Sequence, residues 1–387
     1  MYQLNDNYLR PKKAQWLRRM YATPFEKREN LRVWQGEHAT VLPLRPIPGE
    51  GVLFGRGGVV DKDGQYVELS GIPTRIWNGY SFEKSEYRDE KVVFCGYLVN
   101  HWGHFLVEAV TRLWYFLEKN SSIADKYVFF LKEGENREIG GNYREFLKLL
   151  GIWDKVEIIC VPTTYREVIV PEIAFRCMEF YSPKFLDIFD AVAAHVAPEP
   201  DWKPESKIFF TRTSFYKGNH FEFGGEALDN FFQRNGYAVL HPENLSLSRM
   251  IYLIRNAEVV ATLSGSAQHN MLFAQNGQKH LILERFVINV DYQVSINQMR
   301  SLDVTPIDAN FHLYTVDTVG PLMLGCNHIL EQYISDNGLQ PPDEIYRSKK
   351  YRDQCFKAYM ASYQDNYRYR WHMEPWYPII ADSLYEA

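Results

Sequence analysis

The sequence has no run approaching the roughly 18 consecutive apolar residues of a membrane span, and residues 1–10 lack the apolar core of a secretory signal. Its five cysteines, Cys95, Cys160, Cys177, Cys326 and Cys355, are scattered and form no CxxC pair. Neither a disulfide framework nor a zinc knuckle is expected, and the thiols should be reduced. Long basic runs are missing as well, and a formal net charge of -5 gives no general attraction to nucleic acid. There is no internal repeat, no low-complexity tract, no GxGxxG and no P-loop lysine motif. These absences lead to the expectation of a cytoplasmic chain whose partners are small molecules.

What is present is enough apolar material for a large core. Hydrophobic residues at 46% and charged residues at 24% are ordinary for a globular protein, whereas 26 Tyr and 9 Trp make the aromatic share high. Such rings are mostly core, but they also form platforms for sugars and bases. A chain of 387 residues exceeds the usual ceiling for one core, so two domains of roughly 150 to 200 residues are expected.

Patterning divides the chain further. Residues 1–90 open with a basic helix near residues 9–21, in which Trp16 and Leu17 sit among cations; it either packs on the body or rests on an anionic membrane surface. A strand-rich stretch follows, with a β-hairpin expected at residues 57–69 around an Asp-Gly turn. Within residues 91–197, strands at 91–99, 127–131 and 156–161 alternate with helical pattern, as a parallel α/β domain requires. Residues 198–205, dense in proline and charge, read as a linker. Residues 206–340 repeat the alternation, with strands at 207–211, 237–240, 257–262 and 280–283 and helices near 225–234, 246–256 and 266–274. That is a Rossmann-like sheet, which takes ligands at the carboxyl ends of its strands. Residues 341–387 form an aromatic and basic tail expected to pack back across the domains.

Two constellations carry chemistry. In residues 100–113 the spacings of His101, His104, Glu108 and Arg112 put all four within about 80° on one helix face, with Trp102, Phe105, Leu106, Ala109, Val110 and Leu113 filling the other. Arg112 at i+4 would hold Glu108 ionised. By number and face His101, His104 and Glu108 could also ligate a metal, although the spacing is not that of HExxH. The second constellation is the small-residue turn at residues 261–270, where a strand opens into a helix. Backbone N–H groups there favour a phosphate, with Ser264, Ser266 and His269 as added donors; the same pattern also serves as a plain Ser-capped turn. Arg212, just after the strand at 207–211, with Lys217 behind it, could hold diphosphate oxygens bidentately. Asp61-Lys62-Asp63 has the form of a metal-binding DxD, but Gly64 makes it a better turn.

Together these pieces resemble glycosyltransferase family 61. The resemblance rests on His104-Phe105-Leu106-Val107-Glu108 with Arg112-Leu113, on Phe210-Thr211-Arg212 with Glu226 downstream, and on Gly265-Ser266-Ala267-Gln268-His269-Asn270-Met271-Leu272-Phe273 followed by Leu283-Glu284. Ser264, Ser266 and Thr111 depart from the family's His, Ala and Pro. The resemblance implies an α/β, GT-B-like architecture of two facing Rossmann-like domains, with the donor nucleotide held by the C-terminal one and an acceptor-side stripe facing the cleft. It implies inverting transfer, with no cofactor and no essential metal, from a nucleotide-sugar (a UDP-sugar) to a glycan or lipid-linked saccharide in bacterial surface polysaccharide synthesis. Peripheral contact with the inner face of the membrane goes with that role. Glu108 would be the base, His104 the close second and Arg112 their neighbour. Thr211, Arg212, Lys217, Ser264, Gly265, Ser266, His269 and Asn270 would hold the diphosphate end, and Glu284 the ribose. Two rival readings stand beside it: a metal-dependent phosphoryl-transfer or hydrolytic enzyme built on His101, His104 and Glu108, and a non-catalytic sugar-nucleotide-binding component of a polysaccharide assembly complex, hinted at by Ser264.

Overall fold

The computed structural model describes residues 2–48, 55–72, 78–119, 123–215, 222–285, 291–313 and 321–365. The chain forms two compact units. One, here the inserted unit, is Pro24–Ala197 with Ser246–Ser248; the other, the split unit, joins Met1–Thr23 to Pro198–Leu245 and Arg249–Ala387.

The split unit is built on six parallel strands in the order Gln3–Leu4, Asp303–Asp308, Lys279–Glu284, Val259–Leu263, Lys207–Phe210, Ala238–Leu240. Their centres are continuous apolar runs, such as Ile208-Phe209-Phe210 and Leu281-Ile282-Leu283, all buried, as a parallel sheet covered on both faces demands. From Lys207–Phe210 the chain first adds Ala238–Leu240 on one side. It then crosses back to lay Val259–Leu263, Lys279–Glu284 and Asp303–Asp308 on the other. The direction of winding therefore reverses at Lys207–Phe210, and the carboxyl ends of this strand and Val259–Leu263 flank the crevice where such sheets take ligands. The helices Gly225–Arg234 and His328–Asp336 pack their apolar faces on the sheet through Leu228, Phe231, Phe232, Ile329 and Leu330.

Two strands of this sheet escaped the sequence reading, Asp303–Asp308 and the two-residue Gln3–Leu4. The second brings a larger difference. The basic helix Pro11–Ala22, grouped above with residues up to 90, packs on the split unit and buries Ala14, Leu17 and Tyr21 there. Its cations explain the choice: Lys13 meets the buried Glu284 carboxylate at 3.3 Å, and Arg10 meets Asp308 at 3.1 Å. Tyr21 Oη accepts a hydrogen bond from the Asn297 amide. Leu17 of that helix is thus packed against protein, while Trp16 is half-buried. Among the described residues no helix is long and apolar enough to cross a membrane.

The inserted unit has a seven-stranded mixed sheet. Its parallel core runs Thr163–Pro171, Glu86–Tyr97, Lys126–Phe130, Val156–Ile159. Val33–Glu37 and Thr40–Pro46 pair antiparallel with Thr163–Pro171, and Gly55–Val60 pairs antiparallel with Thr40–Pro46. The hairpin expected at residues 57–69 is present in a short form. Asp61 makes the turn, its carboxylate accepting from the N–H groups of Asp63 and Gln65, and beyond it Tyr66 pairs antiparallel with Val60 while the Val67 N–H donates to Val59 O at 2.9 Å. The winding also reverses here, at Glu86–Tyr97, because the chain goes out through Lys126–Phe130 and Val156–Ile159 and returns to the other side as Thr163–Pro171.

Candidate functional site

In the inserted unit, residues 98–101 leave the carboxyl end of the switch strand Glu86–Tyr97 and enter the stretch that holds the first constellation. It is not one regular helix. A short α turn, Trp102–His104, passes into a π turn, Phe105–Ala109, closed by the Val110 N–H donating to the Phe105 carbonyl at 3.3 Å. Regular α geometry resumes only at Trp114–Lys119. A π turn adds a residue to the repeat and recurs at functional sites; here it changes which side chains share a face.

His104 and Glu108 remain together, Nδ1 to Oε1 at 3.2 Å, with side chains 23% and 9% exposed. His101 caps the helix start, its Nδ1 accepting from the His104 backbone N–H at 3.4 Å, and its ring lies 4.8 Å from that of His104. Arg112 has left the stripe. Rotated inward by the π turn, it is 1% exposed and makes no ion pair with Glu108; its Nε donates to Pro171 O at 3.0 Å and its Nη2 to Leu69 O and Gly71 O at 2.7 and 2.9 Å. The guanidinium lies 5.3 Å from the centre of the Phe94 ring. Burial lowers its pKa to about 10, still cationic at neutral pH. Arg112 is therefore a clamp on the carboxyl end of the Thr163–Pro171 strand. Among the described residues no three His, Cys, Asp or Glu side chains converge as a metal site.

In the split unit the second constellation gathers at the reversal of the sheet. Thr211 and Thr213 both donate their hydroxyls to Asp229 on the helix Gly225–Arg234, fixing the loop that carries Arg212. Burial raises the pKa of Asp229 against the opposing effect of those hydroxyls. Arg212 packs 4.8 Å over Phe215 and donates through Nε to both oxygens of Glu222, at 3.1 and 3.3 Å. Lys217 lies outside the described residues.

The expected helix after Val259–Leu263 is a 3-10 run, Ser266–Phe273. Its tighter turns bury His269 and Asn270, which bond inward: His269 Nδ1 to Gln293 at 3.1 Å, and the Asn270 amide to Ala267 O at 2.9 Å. Neither is presented as a phosphate donor. Ser266 stays half-buried at the turn, while the Ser264 hydroxyl accepts from the Arg285 N–H at 3.1 Å.

Arg285 is the residue that sequence reasoning missed. It follows Leu283-Glu284 at the carboxyl end of its strand, is 4% exposed, and donates to the Ser264 carbonyl through Nε and to Glu222 through Nη1. Gly265 makes its place: φ is +133°, and a Cβ there would come within 2.4 Å of Arg285 Nη2. Burial lowers the Arg285 pKa to about 10, so it too remains charged. Its only sequence signal was a cation at the strand end beside the Gly265 turn.

Glu284 is not a ribose ligand in this arrangement. It is 3% exposed and bonded to Lys13 at 3.3 Å beneath the N-terminal helix. Burial raises its pKa, with Lys13 opposing. The cavity beside it, lined by Leu17, Tyr21, Gln268, Gln293 and Asn297, measures about 10 Å³, room for roughly one water. At the next strand end Asp308, also buried, accepts from His312 Nε2 at 2.8 Å. Burial alone would raise the Asp308 pKa, but His312, Lys13 and Arg10 lower it.

A doubly wound parallel sheet of this strand order belongs to the α/β class that takes ligands where the winding reverses, and here two arginines and a small-residue turn lie at that edge. The sequence comparison gives the family: residues 102–281 match the family described as Glycosyltransferase 61. That match takes in the His104–Glu108 pair, Arg212 and the Gly265 turn, and stops just short of Arg285. The activity that goes with the family is glycosyl transfer. No curated protein matches the chain.

Proposed function

We propose that the chain is an inverting, metal-independent glycosyltransferase of GT-B type that moves a sugar from a UDP-sugar to a hydroxyl of a glycan or lipid-linked saccharide, in bacterial surface polysaccharide synthesis at the cytoplasmic face of the membrane. The observation that carries the donor half is the meeting of Arg212 and Arg285 at the switch point of the parallel sheet. Two guanidiniums there supply the charge that stabilises a departing diphosphate, the task a metal performs in other transferases. Thr211, the Gly265 turn and Ser266 complete the donor site in this reading.

The acceptor half rests on His104 and Glu108. With its proton on Nδ1, His104 donates to the Glu108 carboxylate, which fixes the tautomer and leaves Nε2 as the basic nitrogen. The acceptor hydroxyl then attacks the anomeric carbon in line: its oxygen forms the new C–O bond, its proton passes to His104 Nε2, and the old C–O bond breaks with its electron pair leaving on the diphosphate. Glu108 stabilises the imidazolium. General-base catalysis of this kind contributes about 10²- to 10⁴-fold.

The test is sugar transfer from a panel of nucleotide-sugars, with UDP affinity measured alongside. His104→Ala and Glu108→Gln should each lower turnover by about 10²-fold or more while UDP affinity is kept. Near-normal turnover of His104→Ala would remove the pair from the mechanism, and absence of UDP binding would remove the donor assignment.

A further inference from the structure

Arg212 and Arg285 do not wait as bare cations. One oxygen of Glu222, Oε1, accepts from Arg212 Nε at 3.1 Å and also from Arg285 Nη1. The three side chains are 15%, 4% and 11% exposed in the order Arg212, Arg285, Glu222, so these charge-assisted bonds form in a largely dry setting where they are strong. The other acids of the neighbouring helix are engaged elsewhere, Glu226 with the Tyr351 hydroxyl at 2.9 Å and Asp229 with Thr211 and Thr213. Glu222 is thus the carboxylate that the two arginines share.

The backbone beneath Glu222 is pinned. The pair Glu222–Phe223 runs parallel to Leu322–Met323, and Gly224 follows with φ +88°, where a Cβ would lie 2.2 Å from the Leu324 carbonyl oxygen. Any exchange of partners must be made by the Glu222 side chain.

We propose that Glu222 is an internal competitor for the diphosphate of the nucleotide, a residue that sets its affinity by taking the two guanidiniums in its place. The inference rests on the donor site assigned above. A phosphoryl group and the Glu222 carboxylate cannot both sit on the same donors without like-charge repulsion, so binding requires the carboxylate to withdraw. The effect is graded by chemistry. Transfer turns a diphosphate diester, the sugar nucleotide, into a diphosphate monoester that can carry one more negative charge. Two bare arginines would hold that product tightly; by competing for them Glu222 lowers the affinity of every diphosphate at the site, the product included, and so speeds product release, a step that often limits turnover.

Isothermal titration calorimetry of the full chain with UDP and with inorganic pyrophosphate tests this. Glu222→Gln, which keeps shape and removes charge, should bind UDP about tenfold or more tightly, a gain of about 1.4 kcal/mol or more, with stronger product inhibition. Tighter binding is a result that a merely structural role cannot produce. Unchanged or weaker binding by folded Glu222→Gln overturns the proposal. If that variant fails to fold, Glu222→Asp, which keeps the charge on a shorter arm, is read the same way: tighter UDP binding supports competition and unchanged or weaker binding overturns it. Wild-type protein that binds neither probe, with Arg285→Ala making no difference, overturns the donor-site assignment itself and the proposal with it.

Discussion

His280 offers a perturbation whose size follows from its surroundings. It lies in the middle of the split unit's sheet, 0% exposed, with Nε2 2.9 Å from the Thr262 hydroxyl. Burial lowers its pKa from 6.5 to about 3, with Asn297 acting in the opposite sense. In the folded chain the imidazole is therefore neutral throughout the mildly acidic range, whereas in the unfolded chain it takes up a proton below about pH 6.5. The unfolded state then binds more protons than the folded one, so stability falls as pH drops below 6.5 and continues to fall until the folded pKa is reached near 3. From pH 7 to pH 5 the loss is about 2 kcal/mol. Urea unfolding of wild type and His280→Gln at both pH values isolates this contribution, because every other titrating group is common to the two proteins. With a slope of about 2 kcal/mol per molar, the acid shift of the midpoint should be about 1 M larger in wild type. Equal acid shifts in the two proteins, or an imidazole that titrates near 6.5 in the folded state, would refute the reasoning.

Two further outcomes follow from the geometry. Arg112→Leu removes three carbonyl contacts from a buried guanidinium and should destabilise the inserted unit by about 3 to 5 kcal/mol, read as a fall in the urea midpoint. Gly265→Ala should cost about 1 to 3 kcal/mol in backbone strain and, by driving Arg285 aside, weaken UDP binding in calorimetry.

How much of this was legible in the sequence depended on the range of the interaction. The parallel strands showed themselves because burial on both faces leaves uninterrupted apolar runs such as Leu281-Ile282-Leu283, and glycine and charge punctuate their ends. The position of Arg212 was legible for the same reason, since a cation just past a strand stands at the carboxyl edge of the sheet. Lys13 could not be found that way: as one lysine in a basic helix it reads as a solvated charge, and its carboxylate partner lies 271 residues further on. The stripe of residues 101–112 was half right. Periodicity assumes an α repeat, and one π turn is enough to keep His104 with Glu108 while sending Arg112 inside. His269 and Asn270 misled for a related reason, since the 3-10 run rotates them into the core. Arg285 went unnoticed because its burial depends on the missing side chain of Gly265.

The pairing of Leu4 with Val304 has a consequence in time. At a synthesis rate of roughly 5 to 20 residues per second, the strand that receives Leu4 leaves the ribosome about 15 to 60 s after it. Meanwhile the inserted unit, nearly continuous in sequence, can fold on its own schedule. Pro11–Ala22, too short to persist as a helix alone, must wait through that interval with Lys13 uncommitted. Residues 3–22 are thus secured only after the roughly 300 residues that separate Leu4 from Val304 have been made, and closure of the split unit's sheet becomes the late, committing event of its folding.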